Sequence, residues 1–202
     1  MTTPNRNRVI LALVGACGLG LIVGCLICRL STPAELGAYV LKCDQNSDGV
    51  PDAEIYHEQG RVVRALYDRN FDGQWDYFEW RRADGSLARA EMDDNFDDKV
   101  DGWLTYQAGN VEQSIYDTDF NGVSDLVMRY RHGIPYAALC RPNGATNHVR
   151  IELYRHGMLE KEYRDADGDG LLETVLSYDP FGNEARREPQ VPPMLPTQFK
   201  LE

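Results

Sequence analysis

The sequence predicts an all-β protein: about six β-hairpin repeats of ~24 residues in an antiparallel, up-and-down sheet, behind an N-terminal hydrophobic helix. Three observations predict it. A nine-residue acidic pattern recurs at a near-constant interval. The segments between its copies are short and rich in aromatic and β-branched residues, as strands are. No window of 11 or more residues in that region has a 3.6-residue apolar period.

The chain opens differently. Arg6 and Arg8 precede residues 9–28, a run of twenty residues without a charge. A basic start followed by such a run reads as an export signal or a single membrane-spanning helix. The positive flank holds the N-terminus in the cytoplasm and places the remainder outside. "LIVGC", ending at Cys25, and "LVGAC", ending at Cys17, resemble the bacterial lipoprotein lipobox. That resemblance implies lipidation at Cys25, with Cys17 as the alternative, because Cys25 leaves the longer hydrophobic region before it. An uncleaved anchor is the other reading. Both attach the protein to a membrane at the cell envelope, facing the periplasm or the exterior. Residues 1–30 are therefore signal or anchor, and 31–42 a linker.

Residues 43–188 carry the repeats. The copies are "DQNSDGVPD" from Asp44, "DRNFDGQWD" from Asp68, "DDNFDDKVD" from Asp93, "DTDFNGVSD" from Asp117 and "DADGDGLLE" from Asp165. Their starts lie 24, 25, 24 and 48 residues apart, so one more copy, the fifth in chain order of six, falls in the double gap, at Arg141. "RPNGATNHV" holds the phase there but has lost its carboxylates. Each copy is followed after 12 or 13 residues by an aromatic (Tyr56, Trp80, Tyr106, Tyr130, Tyr154, Tyr178) and then by a turn glycine. The unit is thus strand, glycine turn, strand, acidic loop. Apolar residues fall on both faces of the strands, so the sequence leaves open whether the sheet closes or gains a second layer. After Pro189 comes a proline-rich stretch without period, residues 189–202, expected to be extended or disordered.

The pattern D-x-[DN]-x-[DN]-G-x-x-[DE] resembles the first nine positions of the EF-hand calcium loop. It resembles still more closely the shortened calcium loops of thrombospondin type 3 and FG-GAP repeats. The chemistry is direct: Ca²⁺ takes six to eight oxygens at ~2.3–2.6 Å, and side chains at positions one, three, five and nine of a tight loop converge on one point. The side-chain ligands expected are Asp44, Asn46, Asp48 and Asp52; Asp68, Asn70, Asp72 and Asp76; Asp93, Asn95, Asp97 and Asp101; Asp117, Asp119, Asn121 and Asp125; and Asp165, Asp167, Asp169 and Glu173. Position six needs a left-handed backbone, which Gly takes most easily and which Asp98 must take in the third copy. The flanks read as strands, so no EF-hand fold is implied. Turn chemistry alone accounts for Asp, Asn and Gly in a loop. It does not account for four oxygen-bearing residues at the same offsets in five loops, since crowded carboxylates repel without a counter-ion.

Charge supports this. The formal net charge is −11, and five Ca²⁺ would add +10. The same acidity argues against nucleic acid, which requires a Lys/Arg surface. No catalytic constellation is found. His132 and His156 each precede a turn glycine and read as turn residues, and the recurring aromatics read as core before they read as a stacking surface for sugars. Cys43 and Cys140 each precede a loop, and a disulfide between them would require the array to close. The function expected is that of a membrane-anchored, exported, calcium-binding repeat protein with a structural or binding role and a protein or polysaccharide partner in the envelope. The alternatives are a hydrolase of envelope polysaccharide and a calcium-responsive sensor.

Overall fold

The computed structural model describes residues 37–141 and 149–199. These form thirteen strands: β1 Tyr39–Cys43, β2 Ala53–Glu58, β3 Arg61–Tyr67, β4 Tyr77–Arg81, β5 Leu87–Met92, β6 Gly102–Gln107, β7 Asn110–Tyr116, β8 Leu126–Arg131, β9 Ile134–Cys140, β10 Arg150–Arg155, β11 Met158–Arg164, β12 Leu172–Tyr178 and β13 Glu184–Met194. Every strand pairs antiparallel with its sequence neighbours, in the order β1 to β13, as one open sheet. A single turn of 3₁₀ helix, Pro196–Gln198, follows. The sheet neither closes nor doubles, which settles the alternative the sequence left open. Cys43 and Cys140 therefore lie eight strand positions apart, roughly 38 Å at ~4.8 Å per strand, and form no disulfide.

Two boundaries differ from expectation. The last residues of the expected linker belong to β1, which pairs along its whole length with β2. The stretch after Pro189 is strand as far as Met194 rather than disordered, since β12 supplies it with an antiparallel partner from Tyr178↔Glu184 to Leu172↔Met194. The hydrophobic helix, with Cys17 and Cys25, lies outside the described residues. Among those described, no helix is long and apolar enough to cross a membrane.

The six hairpins close on the glycines in two ways. Four use two-residue turns with both residues left-handed: Gln59–Gly60, Ala108–Gly109, His132–Gly133 and His156–Gly157. That geometry matches the twist of the flanking strands. It gives His132 and His156 a backbone role at a turn. The other two, at Gly85 and Gly182, are longer turns in which the glycine N–H donates back to Arg82 and Asp179.

The core of a one-layer sheet is the packing of side chains across each face. On one face, small residues of the odd strands sit between larger cross-strand neighbours. Ala65 (opposite Glu79), Ala90 (opposite Leu104), Ser114 (opposite Met128) and Ala138 (opposite Glu152) are almost fully buried this way. Leu176, Leu172 and Ile151 are the largest side chains with no exposure. Burial raises the phenol pKa of Tyr77, Tyr106 and Tyr116, which flank this row. The C-terminal segment covers part of the other face, where Phe199 meets Tyr163 edge-on at 4.6 Å.

The recurring aromatics do not form one set. Tyr56 and Trp80 stand 12 residues after their loop starts, and Tyr106, Tyr130, Tyr154 and Tyr178 stand 13 after theirs. Alternation along a strand sends these two groups to opposite faces. The second group lies over the small-residue row: Tyr130 Oη is 3.1 Å from Ser114 Oγ, and Tyr178 donates to Glu162 Oε2 at 2.8 Å. Tyr56 and Trp80 face the other way.

Candidate metal sites along one edge of the sheet

All the acidic loops connect an odd strand to the following even one, so they line the same edge. Backbone hydrogen bonds join them at the base. In each of the first four loops the position-nine N–H donates to the residue before position one, as Asp76 N does to Tyr67 O at 3.0 Å. The position-nine carbonyl then accepts from position one of the next loop, as Asp76 O does from Asp93 N at 2.8 Å. Loops thus repeat every two strands, about 10 Å apart.

Within a loop, positions one and nine are the inner residues. Asp68, Asp93, Asp117 and Asp165 at position one and Asp52, Asp76, Asp101 and Asp125 at position nine are all buried. Asp44 at the sheet's end is exposed, and Glu173 is half-buried. Position one receives the backbone of the loop tip. Asp68 accepts from Phe71 N (2.7 Å), Asp72 N (3.3 Å) and Gly73 N (2.7 Å), and Asp93 accepts the matching three from Phe96, Asp97 and Asp98. Position nine receives the N–H groups of the loop's start: Gln45 N donates to Asp52 at 2.6 Å, Asp94 N to Asp101 at 2.9 Å and Ala166 N to Glu173 at 2.8 Å. Positions three and five are the outer pair, and position five accepts the N–H of position seven in all five loops.

The left-handed residue expected at position six is present in each loop, including Asp98 at φ 68°. The structure adds a second at position four, which sequence reasoning missed: Ser47, Phe71, Phe96 and Phe120 have φ between 58° and 64°. A phenylalanine there carries a steric cost that Asn avoids. Phe120 is 46% exposed and has little packing to lose. Phe120→Asn is expected to stabilise the protein by ~0.5–1 kcal/mol, read as a higher midpoint in thermal unfolding.

The five loops differ in how free their oxygens are. In the fourth, Asp117, Asp119 and Asp125 each bring an oxygen within 4.8 Å of the others; in the sixth, Asp165, Asp167, Asp169 and Glu173 do so. Oxygens on opposite sides of one ion at ~2.4 Å lie up to ~4.8 Å apart, so each group is spaced to hold one metal ion. Crowding has an electrostatic signature in the fourth loop: the Asp119 carboxyl is raised above its ordinary value by desolvation and by its hydrogen bond to Asp117. In the sixth, Glu173 Oε2 is buried with no hydrogen-bond partner among the described residues.

The first three loops turn the same oxygens onto donors of their own. Asn46 and Asn70 donate through Nδ2 to Asp48 and Asp72, both at 2.9 Å. Lys99 pairs with Asp97 at 2.9 Å and holds its pKa below the ordinary range. Arg69 pairs with Asp76 at 2.5 Å and with Asp94 of the next loop at 3.0 Å. Burial opposes the Arg69 charge, but its hydrogen bonds to Asp76 and Asp94 raise its pKa overall. Arg69 and Lys99 at positions two and seven are visible in the sequence, but only the fold shows that they reach these loop carboxylates. In the loop at Arg141, positions two to eight lie outside the described residues.

Fold and loops together define a class: an open antiparallel β-repeat sheet with acidic oxygen-rich loops along one edge. No protein-family model matches the chain, and no curated protein matches it. Among solved structures, it is similar to a chain in the crystal structure of accessory secretory protein 1,2 and 3 in Streptococcus pneumoniae, with 11% identity and a TM-score of 0.36. The likeness covers 59% of this chain and 19% of that one, and at this level it carries no functional argument.

Proposed function

We propose that this is a calcium-binding repeat protein, exported and membrane-anchored, in which the ions brace one edge of the sheet for a structural or binding role at the cell envelope. One observation carries the calcium reading. In the sixth loop four carboxylates converge within 4.8 Å while the buried Glu173 Oε2 has no hydrogen-bond partner among the described residues. A hard divalent cation coordinated only by oxygen satisfies that oxygen and offsets the repulsion. All-oxygen donor sets suit Ca²⁺ over softer metals, and loops with several protein carboxylates suit it over Mg²⁺, which keeps much of its water. Export and anchoring rest on the basic start and the charge-free residues 9–28.

Terbium emission tests the metal reading. Trp75 stands at position eight of the second loop, Tyr67 immediately precedes that loop, and Tyr116 immediately precedes the fourth. Excitation of these rings is expected to sensitise bound Tb³⁺, and Ca²⁺ is expected to quench the signal by displacement where equal Mg²⁺ does not. Absence of sensitised emission, or displacement by Mg²⁺ at the same concentration, contradicts it.

A further inference from the structure

In all five acidic loops the N–H of position two donates to the position-nine carboxylate. The side chain at position two therefore starts beside that carboxylate, and it differs in kind from loop to loop. In the sixth loop it is Ala166, which offers no donor, and Glu173 Oε2 stays without a hydrogen-bond partner among the described residues. In the fourth it is Thr118, whose neutral hydroxyl donates to Asp125 at 2.8 Å. In the second it is Arg69. Its Nε donates to Asp76 Oδ1 at 2.5 Å while its backbone N–H donates to Asp76 Oδ2 at 2.7 Å, so both oxygens of that carboxylate are taken.

Arg69 also reaches across to the third loop. Nη2 donates to the Asp93 carbonyl at 2.6 Å and Nη1 to Asp94 Oδ1 at 3.0 Å. The Tyr77 and Phe96 ring centroids lie 5.7 and 5.5 Å from the guanidinium carbon, close enough to favour the cation. Gln74 Nε2 adds a second tie, to Asp98 Oδ2 at 3.2 Å. Among the described residues, side chains bond one acidic loop to the next only here. The first and second loops, and the third and fourth, are joined through the backbone, as Asp68 N is to Asp52 O at 2.9 Å and Asp117 N to Asp101 O at 2.8 Å. The spacing of the carboxylates follows the same division. They converge within 4.8 Å in the fourth and sixth loops, whereas Asp68, Asp72 and Asp76 form no such group.

We infer that Arg69 is the resident cation of the second loop: it stands where a metal's charge would, ties the second loop to the third, and sets the second loop's calcium affinity below that of the fourth and sixth. The inference rests on the calcium proposal and says how the loops differ within it. A guanidinium and Ca²⁺ compete for one carboxylate, because like charges ~4 Å apart repel even in a polar medium. Calcium therefore enters the second loop only by displacing Arg69 from Asp76, and that displacement also breaks its bonds to Asp93 and Asp94. The fourth and sixth loops carry no such competitor and fill first. A cross-link with no bearing on metal would lower stability on removal and leave calcium affinity where it was.

The test compares the full chain, in detergent, with Arg69→Met, with Arg69→Lys and with the double variant Arg69→Met, Asp72→Asn. The readouts are melting in chelator, calorimetric titration with Ca²⁺, and Tb³⁺ emission excited through tryptophan, since Trp75 lies in the second loop. Arg69→Met keeps the apolar stem and removes the donors. In chelator its melting temperature is expected to fall by roughly 3–6 °C, because the Asp76 side chain, 5% exposed, loses its cation. In titration the same variant is expected to bind calcium at the second loop about tenfold or more tightly than the unaltered chain. The two effects thus have opposite signs. The double variant is expected to lose the gain, which assigns it to the second loop. Arg69→Lys keeps the charge but not the fork that spans both loops, and is expected to move in the same direction by less; it decides the matter should Arg69→Met fail to fold. Ions bound by the unaltered chain, with both single variants leaving affinity unchanged or with the gain persisting in the double variant, overturn this inference alone. No ion bound by any form overturns the calcium proposal and the inference with it.

Discussion

Calcium added to chelator-treated protein is expected to raise its melting temperature, and magnesium at the same concentration is not. The size follows from mass action. A site at ten times its dissociation constant contributes about 1.4 kcal/mol when the unfolded chain does not bind. The fourth and sixth loops, whose carboxylates already converge, then contribute together ~3 kcal/mol. For a sheet of this length that is a rise of about 6–12 °C. Loops one to three add to it only as far as Ca²⁺ displaces Asn46, Asn70, Arg69 and Lys99 from the oxygens they occupy. Thermal unfolding followed by circular dichroism, with and without 1 mM of each ion on the order of extracellular affinities, measures it.

The second large effect separates the loop as a turn from the loop as a metal site. Asp68→Ala removes the buried acceptor of three loop N–H groups. Hydrogen bonds to a charged acceptor make this costly even without an ion, about 2–4 kcal/mol. Asp72→Ala removes an exposed carboxylate that accepts from Gln74 N at 2.9 Å and Asn70 Nδ2 at 2.9 Å. Without calcium it costs under ~1 kcal/mol. In the calcium proposal both changes delete a ligand of the same loop, so both are expected to remove the same share of the calcium-dependent gain. Melting curves of the two variants, each with chelator and with calcium, give all four numbers. Equal costs in chelator contradict the inner and outer roles assigned to positions one and five. A full calcium gain in Asp72→Ala removes that residue from the site.

Much of the architecture is legible because the repeat is written at several levels at once. Acidic loops, turn glycines and strand-forming segments all keep the ~24-residue period, and each points to the same hairpin. What escaped has physical reasons. Closure of a sheet depends on accumulated twist and on packing between faces, and no local pattern encodes it. β1 blends with the linker in sequence because "YVLKC" lacks a preceding loop to mark its start. β13 carries Pro189, Pro192 and Pro193, which argue against a central strand but are tolerated at the edge it occupies. Tyr56 and Trp80 share the repeat phase of four other aromatics to within one residue, and in a strand one residue is the whole difference between faces. At the loops, the recurring oxygen-bearing positions follow from the sequence. The partners that occupy them do not: Arg69 reaches Asp76 and Asp94 only because adjacent loops lie about two strands apart in the folded sheet.

The central claim is that cations sit among the crowded carboxylates. Isothermal titration of Ca²⁺ into the chelator-stripped full chain tests it most directly, because stoichiometry is read without reference to stability. The calcium proposal predicts at least two ions per chain, one for the residues around Asp117 and one for those around Asp165, whose carboxylates converge, lost together when Asp125→Ala and Glu173→Ala are combined. No binding heat at millimolar calcium would mean that the loops are held by their own N–H groups alone, and the metal reading would fall.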